Sequence, residues 1–382
     1  MKKVAAVLIS MIFGFMAVAC MRVYNADDAV FDSELMFSAR LYGDDAKSAY
    51  SEMLGVMDRL AESADTTNPS STVSKVNAAE TGEAVTVDGI FCELTQKAVE
   101  LYYETDGAFN IFLQPLSELW GVDAETIANY TPTALDPQGS SPQTLPDADA
   151  IAELMQYANP QSFTLTVDGE MGTIVKSAPV MFDFGGLAKG WAIDRCVEIA
   201  ERYGIKSAKL DLSGNLALVN GYYDENKGAF ADWTVGINDP RPADLLFRYY
   251  VMAFSTVGNV SIVTSGDYER YYYYRYENRD NIRVTHIIGT DGIPIGLYRA
   301  VDGTYMSKTH VISATVLGDC SMLCDAYATA ACVMGLEAGA EFLREKGCDA
   351  VLFASDGSMK IVGDVTPCNT DTYDGYRKYE QV

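Results

Sequence analysis

The stretch Asp183-Phe184-Gly185-Gly186-Leu187-Ala188-Lys189-Gly190-Trp191-Ala192-Ile193-Asp194 decides how the rest of this chain is read. Apolar residues up to Phe184 give way to paired glycines, and from Leu187 onward the apolar positions take helical spacing. The pattern predicts a strand over 178–184, a turn, and a helix over 187–203. Glycines let a ligand approach the backbone, a helix start presents unpaired N–H groups, and Lys189 adds a positive charge, so a phosphate or pyrophosphate is the natural occupant. The same residues also read as a plain strand-to-helix connection, and both readings stay open on the residues alone.

Short apolar segments broken by glycines follow at 208–212, 216–219, 233–237, 249–254, 262–264, 311–317 and 350–354, with helices predicted at 321–335 and near 337–346. Upstream, Ala46, Ala49, Tyr50, Met53, Leu54, Met57, Leu60 and Ala61 fall at three-four spacing and predict a helix over 46–62. A second helix fits 88–105, with Asp88 as its cap and Asp106-Gly107 closing it. Strands interspersed with helices at irregular intervals predict an α+β fold, mixed or antiparallel sheets with packed helices, rather than a regular parallel α/β wind. Residues 123–149, rich in Thr, Pro, Asp, Gln and Ser and without periodicity, read as a surface excursion at the boundary between two lobes.

The chain has 382 residues, 48% of them hydrophobic, so disorder is excluded as its main state. Its formal charge of −25 opposes any electrostatic hold on nucleic acid or anionic lipid. Attachment to a membrane must then be hydrophobic or covalent, and the N-terminus supplies it. Lys2 and Lys3 precede an uncharged apolar run over 4–19 that ends at Ala17-Val18-Ala19-Cys20. That is a signal-peptide layout, too short to span a bilayer comfortably, with Cys20 as the lipidated first residue of an exported, membrane-anchored protein. Ordinary signal cleavage with release is the alternative. We expect residues 20–30 to be a short tether, 31–365 the folded domain and 366–382 a tail. Seven further cysteines cannot all pair, no CxxC occurs, and with only His286 and His310 in the chain a four-ligand zinc site is poorly supported.

Several other groups of residues suggest chemistry. Asp325 and Thr329 lie four apart on the helix over 321–335, on one face, and their hard oxygens suit Mg²⁺. They equally suit a first-turn Asp favoured by the helix dipole and a Thr bonded back to its own helix. His286, in Val284-Thr285-His286-Ile287-Ile288, is either a general base or a satisfied structural imidazole, and His310 ranks below it. Thr105-Asp106-Gly107-Ala108-Phe109-Asn110 offers an exposed aromatic beside backbone amides for a planar heterocycle, or simply core. Glu269 to Glu277, with five tyrosines, reads as a sheet edge or pocket wall.

Taken in order, these stretches resemble the FAD:protein FMN transferases, the ApbE flavin transferases. The resemblance runs from about Phe31 to about Leu343. It includes Ser74-Lys75-Val76-Asn77, Thr105 to Asn110, Pro115-Leu116 with Leu119-Trp120-Gly121, Asp183 to Asp194, and Leu212-Ser213-Gly214-Asn215. It continues through Trp233 to Ile237 with Asp239-Pro240, Thr264 to Arg270, His286-Ile287 and Asp325-Ala326-Tyr327-Ala328-Thr329-Ala330.

The resemblance implies an ApbE-like fold whose two lobes enclose a flavin nucleotide site, with FAD as substrate and Mg²⁺ as cofactor. It implies transfer of FMN to a Thr or Ser hydroxyl of an exported or membrane-bound partner protein, with release of AMP. On that likeness Ala108, Phe109 and Asn110 line the flavin nucleotide site, Asp183, Lys189, Asp194 and Ile287 belong to the FAD-binding segments, and His286 assists the acceptor hydroxyl. Asp325 and Thr329 would hold Mg²⁺ with the backbone carbonyl of Ala188. Thr285 stands where the family commonly has a first histidine, Gly289-Thr290 replaces an Asp-Pro turn, Asn110 replaces a frequent Asp, and Ser213-Gly214-Asn215 replaces a more usual Gly-Gly pair. An FAD pyrophosphatase and a non-catalytic flavin-binding lipoprotein remain as alternatives.

Overall fold

A computed structural model describes residues 23–31, 35–123, 126–127, 144–224, 226–241, 250–256, 258–277, 279–367 and 378–381. The expected signal segment, Cys20 and most of the expected 123–149 excursion lie outside these residues.

The frame is a nine-stranded sheet, whose strands are numbered here in chain order: β1 Val23–Val30, β2 Leu35–Tyr42, β3 Ser207–Leu212, β4 Asn215–Val219, β5 Val260–Gly266, β6 Val311–Gly318, β7 Asp349–Ala354, β8 Ser358–Val362 and β9 Lys378–Gln381. Order across the sheet follows order along the chain, and every pairing is antiparallel except β8 with β9. The helices are α1 Ala46–Ala64, α2 Thr72–Ala78, α3 Gly89–Glu104, α4 Gln114–Trp120, α5 Ala148–Met155, α6 Ala188–Arg202, α7 Ser321–Met334 and α8 Leu336–Glu345. The expected α+β architecture is present.

Strand alternation sorts the core onto two faces. Ala350 and Leu352 of β7 pack with Ala217 and Val219 of β4 into the cluster that also takes in α1, α6 and α7. Val351 and Phe353 point the other way, with Leu218, against Trp233, Ile237 and Phe254 of the hairpin formed by 233–238 and 250–256. A third cluster gathers Leu116 and Trp120 of α4, Ile151 of α5, and Tyr272, Ile282 and Val284 of the hairpin formed by 271–274 and 282–285. Trp120 is fixed there by its indole N–H, which donates to the Gly292 carbonyl at 2.8 Å. Ile287 belongs to the first cluster, while Val284 and Ile288 belong to the third. His286 therefore sits at the seam between two cores.

Three boundaries differ from expectation. Residues 23–30, expected inside a tether, form β1 and pair with all of β2, and part of the expected tail, 378–381, forms β9. The predicted strand over 178–184 is not one. Its backbone is satisfied without a ladder: the Asn77 amide accepts from Phe182 N at 2.7 Å and donates to Phe182 O at 2.9 Å, and Asp183 N donates to Ile111 O. One side chain at 77 thus replaces a neighbouring strand. The end of the excursion is a capped helix, α5, whose cap Asp147 accepts from Ala150 N.

Candidate active site

Two helices create the site by meeting at their N-termini. Gly190, in the first turn of α6, lies so close to α7 that a Cβ there would fall 2.5 Å from the Ser321 carbonyl oxygen, so only glycine permits the crossing. Two positive helix ends are thereby brought together, and each is met by a carboxylate from the other helix. Asp194 of α6 accepts from Ser321 N at 2.7 Å and from Met322 N at 2.9 Å, capping α7, whose own N-cap residue, Cys320, makes no side-chain cap bond. Asp325 of α7 accepts from Gly190 N at 3.1 Å through Oδ2.

The turn between β3 and β4 supplies a further donor. Ser213 and Gly214 both have positive φ, the two-residue hairpin geometry that places Asn215 at the start of β4 opposite Leu212. The Asn215 amide donates to Asp325 Oδ2 at 2.9 Å. Oδ1 of the same carboxylate lies 4.0 Å from Lys189 Nζ, and that ammonium donates to the Gly185 carbonyl at 3.1 Å. One turn along α7, the Thr329 hydroxyl is 3.1 Å from Ser265 Oγ and 3.2 Å from the Asp325 carbonyl. A Cβ on Gly186 would touch both Thr329 Oγ1 and the Phe109 ring, so the glycine turn, α7 and the 105–110 segment converge.

Asp325 is 2% exposed, with the Thr329 hydroxyl one turn along α7 and the Gly185 carbonyl bound to the neighbouring Lys189. These are hard oxygen donors of the kind that Mg²⁺ takes, leaving room for waters and phosphate oxygens. Among the described residues no three His, Cys, Asp or Glu side chains gather to hold a metal. A cation here would therefore rely on one carboxylate plus neutral oxygens. Ala188 is the first residue of α6, with its N–H donating to the Phe184 carbonyl.

His286 lies across the seam. Its Nδ1 is 3.1 Å from the Arg270 carbonyl, which only accepts, so Nδ1 carries the hydrogen and Nε2 the lone pair in the neutral ring. Burial, reinforced by the charges of Arg270 and Lys189, pulls the imidazole down to about 3. His310 has both nitrogens engaged, Nε2 at 2.9 Å from Asp267 Oδ2 and Nδ1 at 3.2 Å from the Lys308 carbonyl, and has none left for acid–base work. Burial pushes the Cys320 and Cys348 thiols up to about 11 and raises Cys324 and Cys332 as well, which keeps these sulfurs as neutral packing groups.

The other six expected site residues have their own partners in the fold. Asp194 spends both oxygens capping α7 and positions the site from behind. Phe109 is buried in the main cluster rather than exposed, with Ala108 beside it. Asn110 is committed at both ends of its amide, donating to the Ala158 carbonyl and accepting from Phe112 N. Ile287 faces the core, its carbonyl taken by Ile295 N. Asp183 Oδ1 accepts from Gly185 N at 2.8 Å and shapes the glycine turn. At the helix start, Ala188 N serves Phe184 and Gly190 N serves Asp325. Sequence reading assigned no role to Asn215 and Ser265, whose partners in space lie 110 and 64 residues away.

A sequence profile described as the ApbE family matches residues 33–352. The chain belongs to the ApbE family. A protein of Treponema pallidum named FAD:protein FMN transferase is 28% identical over 299 residues, 76% of this chain and 72% of that protein. One of the same name from Vibrio cholerae is 26% identical over 300 residues, 77% and 76% of the two chains. Among solved structures, the apo flavinyl transferase ApbE of Pseudomonas stutzeri superposes with a TM-score of 0.65 at 21% identity, covering 87% of this chain and 91% of its own. The ApbE protein of Thermotoga maritima gives 0.66 at 22% identity, over 94% of this chain and all of its own. At these identities the superpositions establish the ApbE fold. The relatives' names bear on function.

Proposed function

We propose that this ApbE protein transfers the FMN half of FAD to a Thr or Ser hydroxyl of a partner protein and releases AMP, in a Mg²⁺-dependent reaction. The names of its relatives support the transfer, and one observation carries the site: Lys189 Nζ stands 4.0 Å from Asp325 Oδ1 and donates to the Gly185 carbonyl, Thr329 Oγ1 borders Gly186 of the same turn, and the Lys189 charge reaches the His286 ring.

Asp325 and Thr329 would hold Mg²⁺, with the Ala188 carbonyl as a further ligand. Bound there, the ion supplies positive charge against the pyrophosphate and the departing phosphate. Lys189 adds a second positive charge beside the same oxygens and fixes the backbone of Gly185. His286 Nε2 accepts the proton of the acceptor hydroxyl as the new O–P bond forms, and the bond between the two phosphates breaks to free AMP. A ring held near 3 is a weak base in the free protein, and the negative charge of a bound pyrophosphate raises it, so proton transfer waits for substrate.

The test incubates the protein with FAD, Mg²⁺ and a candidate acceptor, then measures acceptor mass and free AMP. An FMN-sized mass gain with equal AMP is expected. AMP without the gain points to FAD hydrolysis, and unchanged FAD to a binding protein.

We further infer export and lipidation at Cys20. Strand β1 begins three residues after that cysteine, so an anchored chain would hold its sheet edge close to the membrane surface. Loss of membrane association in Cys20→Ala checks this.

A further inference from the structure

A carboxylate that accepts no hydrogen bonds from other elements can turn about its last bond and offer a cation one oxygen or two. Asp325 cannot turn freely. Its Oδ2 is held by Gly190 N at 3.1 Å and Asn215 Nδ2 at 2.9 Å, donors that belong to a helix start and a hairpin turn. Asn215 is 1% exposed and sits in fixed register opposite Leu212. Gly190 contributes backbone, so Asn215 is the side chain that decides the matter. An aspartate in its place would oppose the Asp325 charge, and a leucine would fill similar space without a donor.

We propose that Asn215 is a positioning residue that restricts Asp325 to one metal-facing oxygen, and thereby selects a small octahedral cation over Ca²⁺. The inference rests on the metal site put forward above. Its chemical basis is that Ca²⁺ readily takes both oxygens of a carboxylate at 2.3–2.6 Å in roomy, irregular shells, whereas Mg²⁺ and Mn²⁺ favour compact octahedra. With Oδ2 committed to two N–H donors, chelation through both oxygens would break two buried hydrogen bonds.

The test uses the full chain without FAD. Mn²⁺ binding is followed by the electron paramagnetic resonance of the free ion, with Ca²⁺ as competitor, and thermal unfolding in EDTA is run alongside. Asn215→Leu, and Asn215→Ser as a second variant that keeps a polar group, are expected to bind Mn²⁺ roughly 10- to 100-fold more weakly, the usual effect of losing a group that orients a ligand. They should also lose discrimination against Ca²⁺, a change that a merely structural role would not produce. Raising Mg²⁺ should restore turnover. An unchanged Mn²⁺ to Ca²⁺ preference, in variants that unfold at the original temperature, overturns the proposal while Asp325→Ala still abolishes Mn²⁺ binding. Failure of the unsubstituted protein to bind Mn²⁺ removes the metal site, and this inference with it. Should neither variant fold, the infrared carboxylate stretch of the Mg²⁺-loaded protein, taken against Asp325→Asn, decides: the wide splitting of single-oxygen ligation supports the assignment, and the narrow splitting of two-oxygen ligation overturns it.

Discussion

At Asp325 one oxygen closes a helix end and the other lies 4.0 Å from Lys189, so Asp325→Ala removes both a cap and the carboxylate proposed to hold the cation. Turnover in Mg²⁺ should disappear, while the circular dichroism of the protein stays close to the original. Thr329→Val should weaken the dependence on Mg²⁺ in the same direction but less, because a neutral hydroxyl attracts a cation less than a carboxylate does. Titrating activity against Mg²⁺ for both variants checks the order. His286→Asn should leave FAD and metal binding near the original and slow FMN transfer by about 10² to 10⁴. Because the free imidazole is held down near 3, kcat/KM should show no acid limb at the ordinary histidine position of about 6.5. A limb there, lost in His286→Asn, would refute that burial. Thr285 can pass a hydrogen bond but cannot take a proton at neutral pH, so no neighbouring side chain in this motif substitutes for the ring.

Between elements, the exchange of carboxylates across α6 and α7 makes Asp194 a structural residue with functional reach. Asp194→Ala should destabilise the fold by about 1 kcal/mol, as for a lost N-cap, and should weaken metal binding because α7 carries Asp325 one turn beyond the cap. Calorimetry together with a Mn²⁺ titration separates the two effects. Gly190→Ala should be worse on both counts, since its new methyl meets backbone rather than a side chain that can swing away.

The elements themselves were legible wherever periodicity and caps agree. The helix expected over 46–62 is α1, and Asp88 caps α3 by accepting from Phe91 N as its position foretold. That Asp325 and Thr329 lie one turn apart on α7 was legible from their spacing, as was the bond of Thr329 back to its own helix. What could not be read is whatever joins distant chain. Asn77 satisfies Phe182 across 105 residues, and Asp194 caps a helix that starts 127 residues later. An acidic, weakly alternating run such as 23–30 gave no sign that it would be an edge strand, because its pairing rests on β2 rather than on its own burial.

On the scale of the whole molecule, acid should loosen the fold in two stages. His286 is held well below its ordinary value, so the unfolded chain takes up that proton first, and the stability tied to the neutral ring, complete above about 6.5, drains as pH falls toward 3. Asp267 is fully buried. Burial alone would raise its carboxyl, but hydrogen bonds from His310 and Arg241 and the charges of Arg241 and Arg283 hold it below the usual carboxylate range. Its contribution persists above about 3.9 and is lost as pH falls through the depressed value. Unfolding temperature should therefore decline from about pH 6.5 downward, and His286→Asn should flatten the upper part of that decline. Asp267→Asn should destabilise by about 3 to 5 kcal/mol at neutral pH, because two guanidiniums lose their shared counter-ion.

The order of strands in the main sheet bears on when the protein becomes competent during its synthesis. After the first, each strand pairs with one that precedes it in the chain, so the sheet can extend from its N-terminal side as the chain emerges. The reactive centre cannot follow that schedule. Ala188, Lys189 and His286 come earlier in the chain, but Asp325 and Thr329, the two side chains that would hold the cation, lie on α7. A chain that stops short of α7 thus carries much of the scaffold but neither Asp325 nor Thr329.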